Sequence, residues 1–461
     1  MKKILLSLIT ICSGIVLAGC GDNTSQDKLP DTYYQANLNV EVKLSLNSKK
    51  TSYELPFTYN DRYFFNDSKV YDKGLSELSY GNSLAAATTS ITTKFFNECK
   101  FKDITPVGYD VTPTADTCAY TLAHKELGSY QVIAMSARWH DYQKEWANNF
   151  TIGKTGDHEG FAARAGEMNT ALQEYIATHN NGQKIKLWFT GYSRGGGIIN
   201  VLACRVLREK KIAVEQSNMF VYTFEAPRGL SKAEGNAATY KNIHNVINNG
   251  DLISHFAPEE YGLYRCGIDY DIYNKNASSL IKAFDNEIDI TEFVEYKTGE
   301  KDEKGQDIII KDDAEMVDYI FSKVFHVNSS DTTIIINTRE QYVDNLQPYI
   351  AYCLGLVFSL TNSTQNEIIT ELSNKEMIDL MILIASGKSM ADFFKPYLEK
   401  DNVQFDETEL ANNLEKTRNV VLAVASPLLA MLMDDAKTNL TRTLNLHYPD
   451  MTYVLLKDYH K

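Results

Sequence analysis

The chain has 461 residues, 44% hydrophobic and 11% aromatic, which is apolar matter enough for a large packed core. Its 60 acidic and 46 basic side chains give a net charge of −14, which argues against nucleic acid as a partner and against charge-driven adhesion to anionic lipid. The length exceeds one typical domain and predicts a core fold carrying large additions.

Lys2 and Lys3 open the chain, Ile4 to Val16 is apolar, and Leu17-Ala18-Gly19-Cys20 reads as a cleavage region. This is the layout of a secretory leader, too short for a spanning helix. Its last four residues resemble a bacterial lipobox. That resemblance implies diacylglycerol transfer to the Cys20 sulfur, cleavage before it, and an acylated N-terminus anchored to a bacterial membrane on an extracytoplasmic face. An ordinary secreted protein with an unmodified Cys20 is the alternative. Residues 1–19 are then the leader and 20–35 a polar, lipidated tether. Loss of Lys2 and Lys3 leaves 44 basic against 60 acidic side chains, a net charge of −16. Beyond Cys12 and Cys20 remain Cys99, Cys118, Cys204, Cys266 and Cys353, an odd number that cannot all pair. Cys99 and Cys118 flank a short loop-rich stretch and can bridge in an oxidising compartment; five buried thiols fit equally well. Neither the cysteines nor the histidines have metal-ligand spacing, so no metal is expected.

Asn37 to Leu46 alternates strictly, and Thr51 to Tyr59 answers it across Asn47-Ser48-Lys49-Lys50, predicting an N-terminal β-hairpin. Leu75 to Phe96 is compatible with a helix. Ala119 to His124 and Tyr130 to Ser136 read as strands. From there the chain alternates as an α/β sheet does: a helix over His158 to Ala177, a strand over Ile185 to Thr190, a helix over Gly196 to Arg208, and strands over Phe220 to Phe224 and Ile243 to Ile247. After about Asp271 the character changes. Lys297 to Asp313 is a charged loop or small hairpin, and helical patterns follow over Gln341 to Leu360, Lys375 to Leu398 and Glu407 to Met433. Val420 to Met433 is almost wholly apolar but short of a bilayer crossing and interrupted by Pro427, fitting a buried helix or one facing lipid substrate. The expected division is a core over 36–272, a mostly helical cap over 273–441, and a return to the core over 442–461.

The most informative stretch runs from Leu187 to Asn200. A strand-like apolar run ends in Gly191-Tyr192-Ser193-Arg194-Gly195, and a helical pattern follows at once, the context of a nucleophile elbow. Residues two before and two after the serine crowd each other there, which glycines relieve. The turn would lift the Ser193 hydroxyl above the sheet and set the Arg194 amide and the helix N-terminus toward a developing oxyanion. A serine hydroxyl needs an imidazole to take its proton and a carboxylate to orient the imidazole. Asp251, just past the second strand after the elbow, has the chain order for the acid, although Asn248-Asn249-Gly250-Asp251 serves equally as a turn. His124, His140, His158, His179, His244 and His255 have the wrong order or an evident partner, His326 lies in the insertion and His460 at the terminus. His447, before a closing helix, has the order for the base.

The segment from Val132 to Tyr270 resembles the class 3, fungal-type lipases of the α/β-hydrolase superfamily, and more closely their bacterial relatives. The resemblance is carried by Ser136-Ala137-Arg138-Trp139-His140, Trp146-Ala147-Asn148-Asn149-Phe150, His158-Glu159-Gly160-Phe161, Gly191 to Gly196, Thr223-Phe224-Glu225-Ala226-Pro227 and Asn248 to Ile253, with a late match at His447 and Tyr453. It implies an α/β-hydrolase sheet flanked by helices, with Ser193 as nucleophile, Asp251 as orienting acid and His447 as base. It also implies an oxyanion hole from the backbone of Arg194, Trp139 and His140. Trp139-His140 replaces the family's Gly-Thr and would narrow the hole; 195 residues between acid and base exceed what a minimal core needs.

The function that follows is cofactor-free acyl transfer to water from a carboxylic ester, with a lipid or small ester as substrate. Two rivals remain: an acyltransferase or amidase using the same three residues, and a non-catalytic surface lipoprotein on a hydrolase scaffold.

Overall fold

A computed structural model of the chain describes residues 33–42, 52–111, 116–139, 145–232, 239–288, 290–324, 327–329, 334–348 and 436–459, with a few isolated residues between 395 and 415. The leader, Cys20, nearly all of the tether, His140, Cys353 and all but a few residues of the helices expected over 375–398 and 407–433 lie outside the described residues, as do His326 and His460.

The N-terminal hairpin pairs β1 (Gln35–Val42) with β2 (Tyr53–Asn60), antiparallel and in unbroken register. Strict alternation puts Leu38, Val40, Val42, Leu55, Phe57 and Tyr59 on one buried face. The single helix expected over 75–96 is two, α1 (Lys73–Ala85) and α2 (Thr89–Glu98). Thr88 takes extended backbone at φ −138° and accepts from the Ile91 N–H, so a β-branched capping residue restarts the helix where a continuous one was read.

β3 (Lys102–Val107), β4 (Tyr120–Leu127) and β5 (Tyr130–Ala137) pair antiparallel. A crossover helix, α3 (Glu159–His179), leads to β6 (Lys184–Tyr192), and α4 (Ser193–Glu209) leads to β7 (Met219–Phe224). A two-residue strand, β8 (Leu230–Ser231), later pairs with β10 (Leu263–Tyr264); between them runs β9 (Ile243–Ile247), and β11 (Ile268–Asp271) follows. The main sheet has seven strands in the order β11-β9-β7-β6-β5-β4-β3, parallel from β5 to β11, and is flanked by helices. It is the α/β arrangement the sequence predicts.

Both faces of the sheet are buried, so its strands alternate between two apolar cores rather than between core and solvent. Val132, Ala134, Trp188, Phe220 and Tyr222 face the hairpin, α1 and α2; Ile133, Met135, Leu187, Phe189 and Val221 face α3 and α4. Trp188, fully buried on the central strand, lies among Phe64, Phe95, Phe96 and Phe101 and donates its indole N–H to Ser79 Oγ at 2.8 Å. Cys99 belongs to the first core and Cys118 packs on the second, both as thiols. The sheet stands between them, so the Cys99–Cys118 bridge is not formed.

Beyond the sheet come α5 (Ala277–Phe284), a hairpin of β12 (Tyr296–Lys301) with β13 (Asp307–Ile310), α6 (Asp313–Val324), a short pair β14 (Val327–Ser329) and β15 (Ile334–Ile336), and α7 (Arg339–Asn345). The chain closes with α8 (Ala436–Asn445) and α9 (Pro449–Asp458). The described part of the insertion thus mixes helices with two small hairpins. No helix among the described residues is long and apolar enough to cross a membrane.

Candidate active site

The site is built on the carboxyl ends of β6, β7 and β9, where loops leave a rigid sheet. Tyr192 ends β6, and Ser193 begins α4 with φ 54°, a left-handed conformation that only the surrounding structure can impose on a serine. Two glycines make the turn passable. A Cβ on Gly191 would strike the Gly195 carbonyl, and one on Gly195 would lie 2.8 Å from the Ala137 carbonyl oxygen. The second contact also seats the end of β5, and with it Arg138 and Trp139, against the first turn of α4.

Asp251 follows β9 in an Asx turn, fully buried, with Oδ1 accepting from the Ile253 N–H at 2.8 Å. His447 sits between α8 and α9. The structure brings it to the other two: the ring Nδ1–H donates to Asp251 Oδ2 at 2.6 Å, and the Ser193 hydroxyl donates to Nε2 at 2.8 Å. Leucine and tyrosine contacts hold the histidine turn in place. Leu446 is fully buried, the Leu252 N–H bonds the Thr443 carbonyl, and the Tyr192 ring stacks on the imidazole while its hydroxyl donates to the His447 carbonyl. The Tyr80 hydroxyl donates to the Pro449 carbonyl at 2.6 Å.

The side of the elbow toward β5 is stiffened by buried charge. Glu145, with no exposed surface, accepts from Arg138 at 2.7 Å, from Arg194 at 3.0 Å and from the Thr117 hydroxyl at 2.6 Å. One carboxylate therefore ties the residue after β5 to the residue after Ser193. Tyr192 makes no side-chain capping bond to α4, and the positive end of that helix lies at the serine. The Trp139 indole is turned into the core against the Tyr192 ring, with its N–H on the Leu84 carbonyl at 3.2 Å. It is held away as packing rather than left loose at the turn. His140 is outside the described residues.

Residues 128–261 match the family Lipase (class 3). The match contains Ser193 and Asp251 and ends well before His447. It supports a lipase-like ester hydrolase. Among solved structures, the chain is similar to the Rhizomucor miehei lipase in complex with its propeptide, at 18% identity and a TM-score of 0.34, covering 44% of this chain and 68% of that one. It is similar also to a lipase from Rhizopus microsporus var. chinensis, at 15% identity and 0.32 over 43% and 72%, and to lipase II from Rhizopus niveus, at 14% and 0.32 over 46% and 80%. Comparison with curated proteins yields no match.

The other motifs of the class 3 lipase resemblance turn out to be packing devices around the elbow. His158 caps α3, accepting from the Phe161 N–H on Nδ1, donating from Nε2 to the Asn149 carbonyl, and stacking on Phe161 at 3.8 Å. Burial drives its imidazole down to about 3, so it stays neutral. Phe161 in turn fills the space a Cβ on Gly197 would take, and a Cβ on Gly160 would fall on Asn148.

Two buried acids beside the site escape the sequence reading. Glu145 stands one residue before the Trp146 motif with nothing local to mark it. Glu225 was quoted only as part of Thr223 to Pro227; a charged residue closing a strand of Phe, Val, Tyr and Phe was the available signal. Burial, and then the charge of Asp251, push its carboxyl well above the usual range.

Proposed function

We propose that the chain is a serine hydrolase of carboxylic esters, directed to lipid esters, in which Ser193, His447 and Asp251 form the catalytic triad. One observation carries the reading: an unbroken hydrogen-bonded line from the Ser193 hydroxyl through both ring nitrogens of His447 to a buried carboxyl of Asp251. Ser193 attacks the ester carbonyl while Nε2 takes its proton, and Asp251 keeps the ring in the Nδ1–H tautomer and steadies the imidazolium. The Arg194 amide at the head of α4, together with the turn after Ala137, receives the oxyanion. His447 then protonates the departing alcohol, and water releases the acyl group by the same path.

The lipobox-like Leu17 to Cys20 supports placing this enzyme on a membrane through a lipidated Cys20, outside the cytoplasm. A panel of p-nitrophenyl esters, hydrolysed with and without a lipid interface, tests the reading. Turnover should be lost in Ser193→Ala and in His447→Ala, and should rise with acyl length in the presence of lipid. Equal turnover in wild type and Ser193→Ala would refute it.

A further inference from the structure

Arg138, Glu145 and Arg194 form a buried ion cluster that no step of the hydrolytic cycle uses. Glu145 stands at the head of the short helix Trp146–Asn149. Its Oε1 accepts from Arg138 at 2.7 Å and from the Thr117 hydroxyl at 2.6 Å, and its Oε2 accepts from Arg194 at 3.0 Å. Arg194 also donates to the Thr117 carbonyl at 3.1 Å. Taking such a cluster out of water is costly, and apolar side chains of the same volume often give a protein at least as stable. Stability is therefore a weak account of why it is here.

Its place in the chain supplies a better one. Arg194 directly follows Ser193, and Arg138 directly follows β5, so each guanidinium hangs from one of the two backbone segments that would receive the oxyanion. The Arg138 N–H is committed to the Ala119 carbonyl at 2.8 Å, so any donor this turn gives to an oxyanion comes after Arg138. The two segments already touch: a Cβ on Gly195 would lie 2.8 Å from the Ala137 carbonyl oxygen and 3.0 Å from that of Arg138. That contact limits how closely they approach, and the link through Glu145 limits how far they part.

We propose that Glu145 is a positioning residue for the oxyanion hole: by holding Arg138 on one oxygen and Arg194 on the other, it fixes the spacing between the turn after β5 and the first turn of α4. The inference rests on the hydrolase reading above. Glu145 touches no substrate; it acts through the amides those two segments carry. A misplacement of about 1 Å can cost about 10²-fold in rate. The oxyanion develops only on the way to the tetrahedral intermediate, so the loss falls on kcat and leaves KM nearly unchanged.

The test uses two variants of the full chain, with active serines counted by end-point fluorophosphonate titration. Glu145→Gln keeps the volume but turns an amide N–H toward one of the guanidinium groups. Per titrated serine, kcat should fall about 10- to 100-fold with KM within about threefold of wild type. Affinity for an alkylboronic acid, whose tetrahedral adduct on Ser193 mimics the intermediate, should weaken by the same factor as kcat/KM. The triple variant Arg138→Met, Glu145→Leu, Arg194→Met removes the charges together. It should unfold in urea near the wild-type midpoint and still lose about 10²-fold in kcat. A triple variant that is stable and as active as wild type overturns the proposal. So does a Glu145→Gln protein with unchanged kcat per titrated serine and unchanged boronate affinity, whether or not the triple variant folds. Ser193→Ala, run alongside, separates the two readings. Wild type no faster than Ser193→Ala sinks the hydrolase reading and this inference with it, whereas active wild type matched by Glu145→Gln sinks this inference alone.

Discussion

Ser193, Gly191 and Gly195 show how much chemistry depends on backbone that other residues cannot adopt. The serine holds a φ of 54°, and the two glycines are spaced so that neither could carry a methyl group without striking a carbonyl. This crowding was readable in advance, because a serine flanked by glycines at two residues on either side, after a strand and before a helix, has few other structural uses. Gly195→Ala should therefore cost about 1–3 kcal/mol in urea unfolding and reduce ester turnover with it, since the methyl group would push the end of β5 off the elbow. Asp251→Asn tests a different link. The amide would present an N–H to His447 and select the wrong tautomer, so kcat should fall about 10⁴-fold while the fold persists, as circular dichroism would check. Glu145 and Glu225 were not readable, because their meaning lies in partners 49 and 23 residues away, Arg194 and Asn248.

At the scale of elements, the parallel strands were legible and the edges were not. β6, β7 and β9 are short apolar runs closed by turn residues, a pattern with few alternatives. β3 is polar and shifts register between Lys102 and Thr105, and β11 is four residues long with two aspartates, so neither leaves an alternating trace. The break between α1 and α2 was hidden because Ala86, Ala87 and Thr88 do not interrupt an apolar helical pattern. What places the histidine-bearing turn was also invisible. Arg442, buried in α8, makes two bonds to Asp313 of α6, at 2.6 and 2.9 Å, and others to the Thr291 carbonyl and the Ser278 hydroxyl. It buckles the two ends of the insertion together five residues before His447. Arg442→Ala strands a buried carboxylate and should lose about 3–5 kcal/mol in urea unfolding. The paired change Arg442→Met with Asp313→Leu should recover most of that loss. Equal destabilisation of single and double variants would show that the pair does not act as a unit.

For the whole molecule, the sheet is a rigid platform whose two buried faces leave the strand ends as the place where Ser193, Asp251 and His447, from distant parts of the chain, meet. That platform also shapes its response to pH. His158, pushed down to about 3 by burial, stays neutral in the folded protein while the unfolded chain takes up a proton near 6.5. Its folded-state contribution is therefore whole above about pH 6.5 and lost progressively toward pH 3. In His158→Asn, which keeps a helix-capping side chain but not the imidazole, the stability deficit seen at pH 8 should shrink by up to about 1.4 kcal/mol per pH unit below pH 6.5. A deficit independent of pH would contradict that account.

The most direct measurement is covalent. Full-length protein incubated with a fluorophosphonate and digested for mass spectrometry should carry a single phosphonyl adduct on the peptide containing Ser193. The adduct should vanish in Ser193→Ala and form far more slowly in His447→Ala. Folded wild-type protein that stays unlabelled, or one labelled equally well without the 447 imidazole, would contradict the claim that these distant side chains act as one catalytic unit.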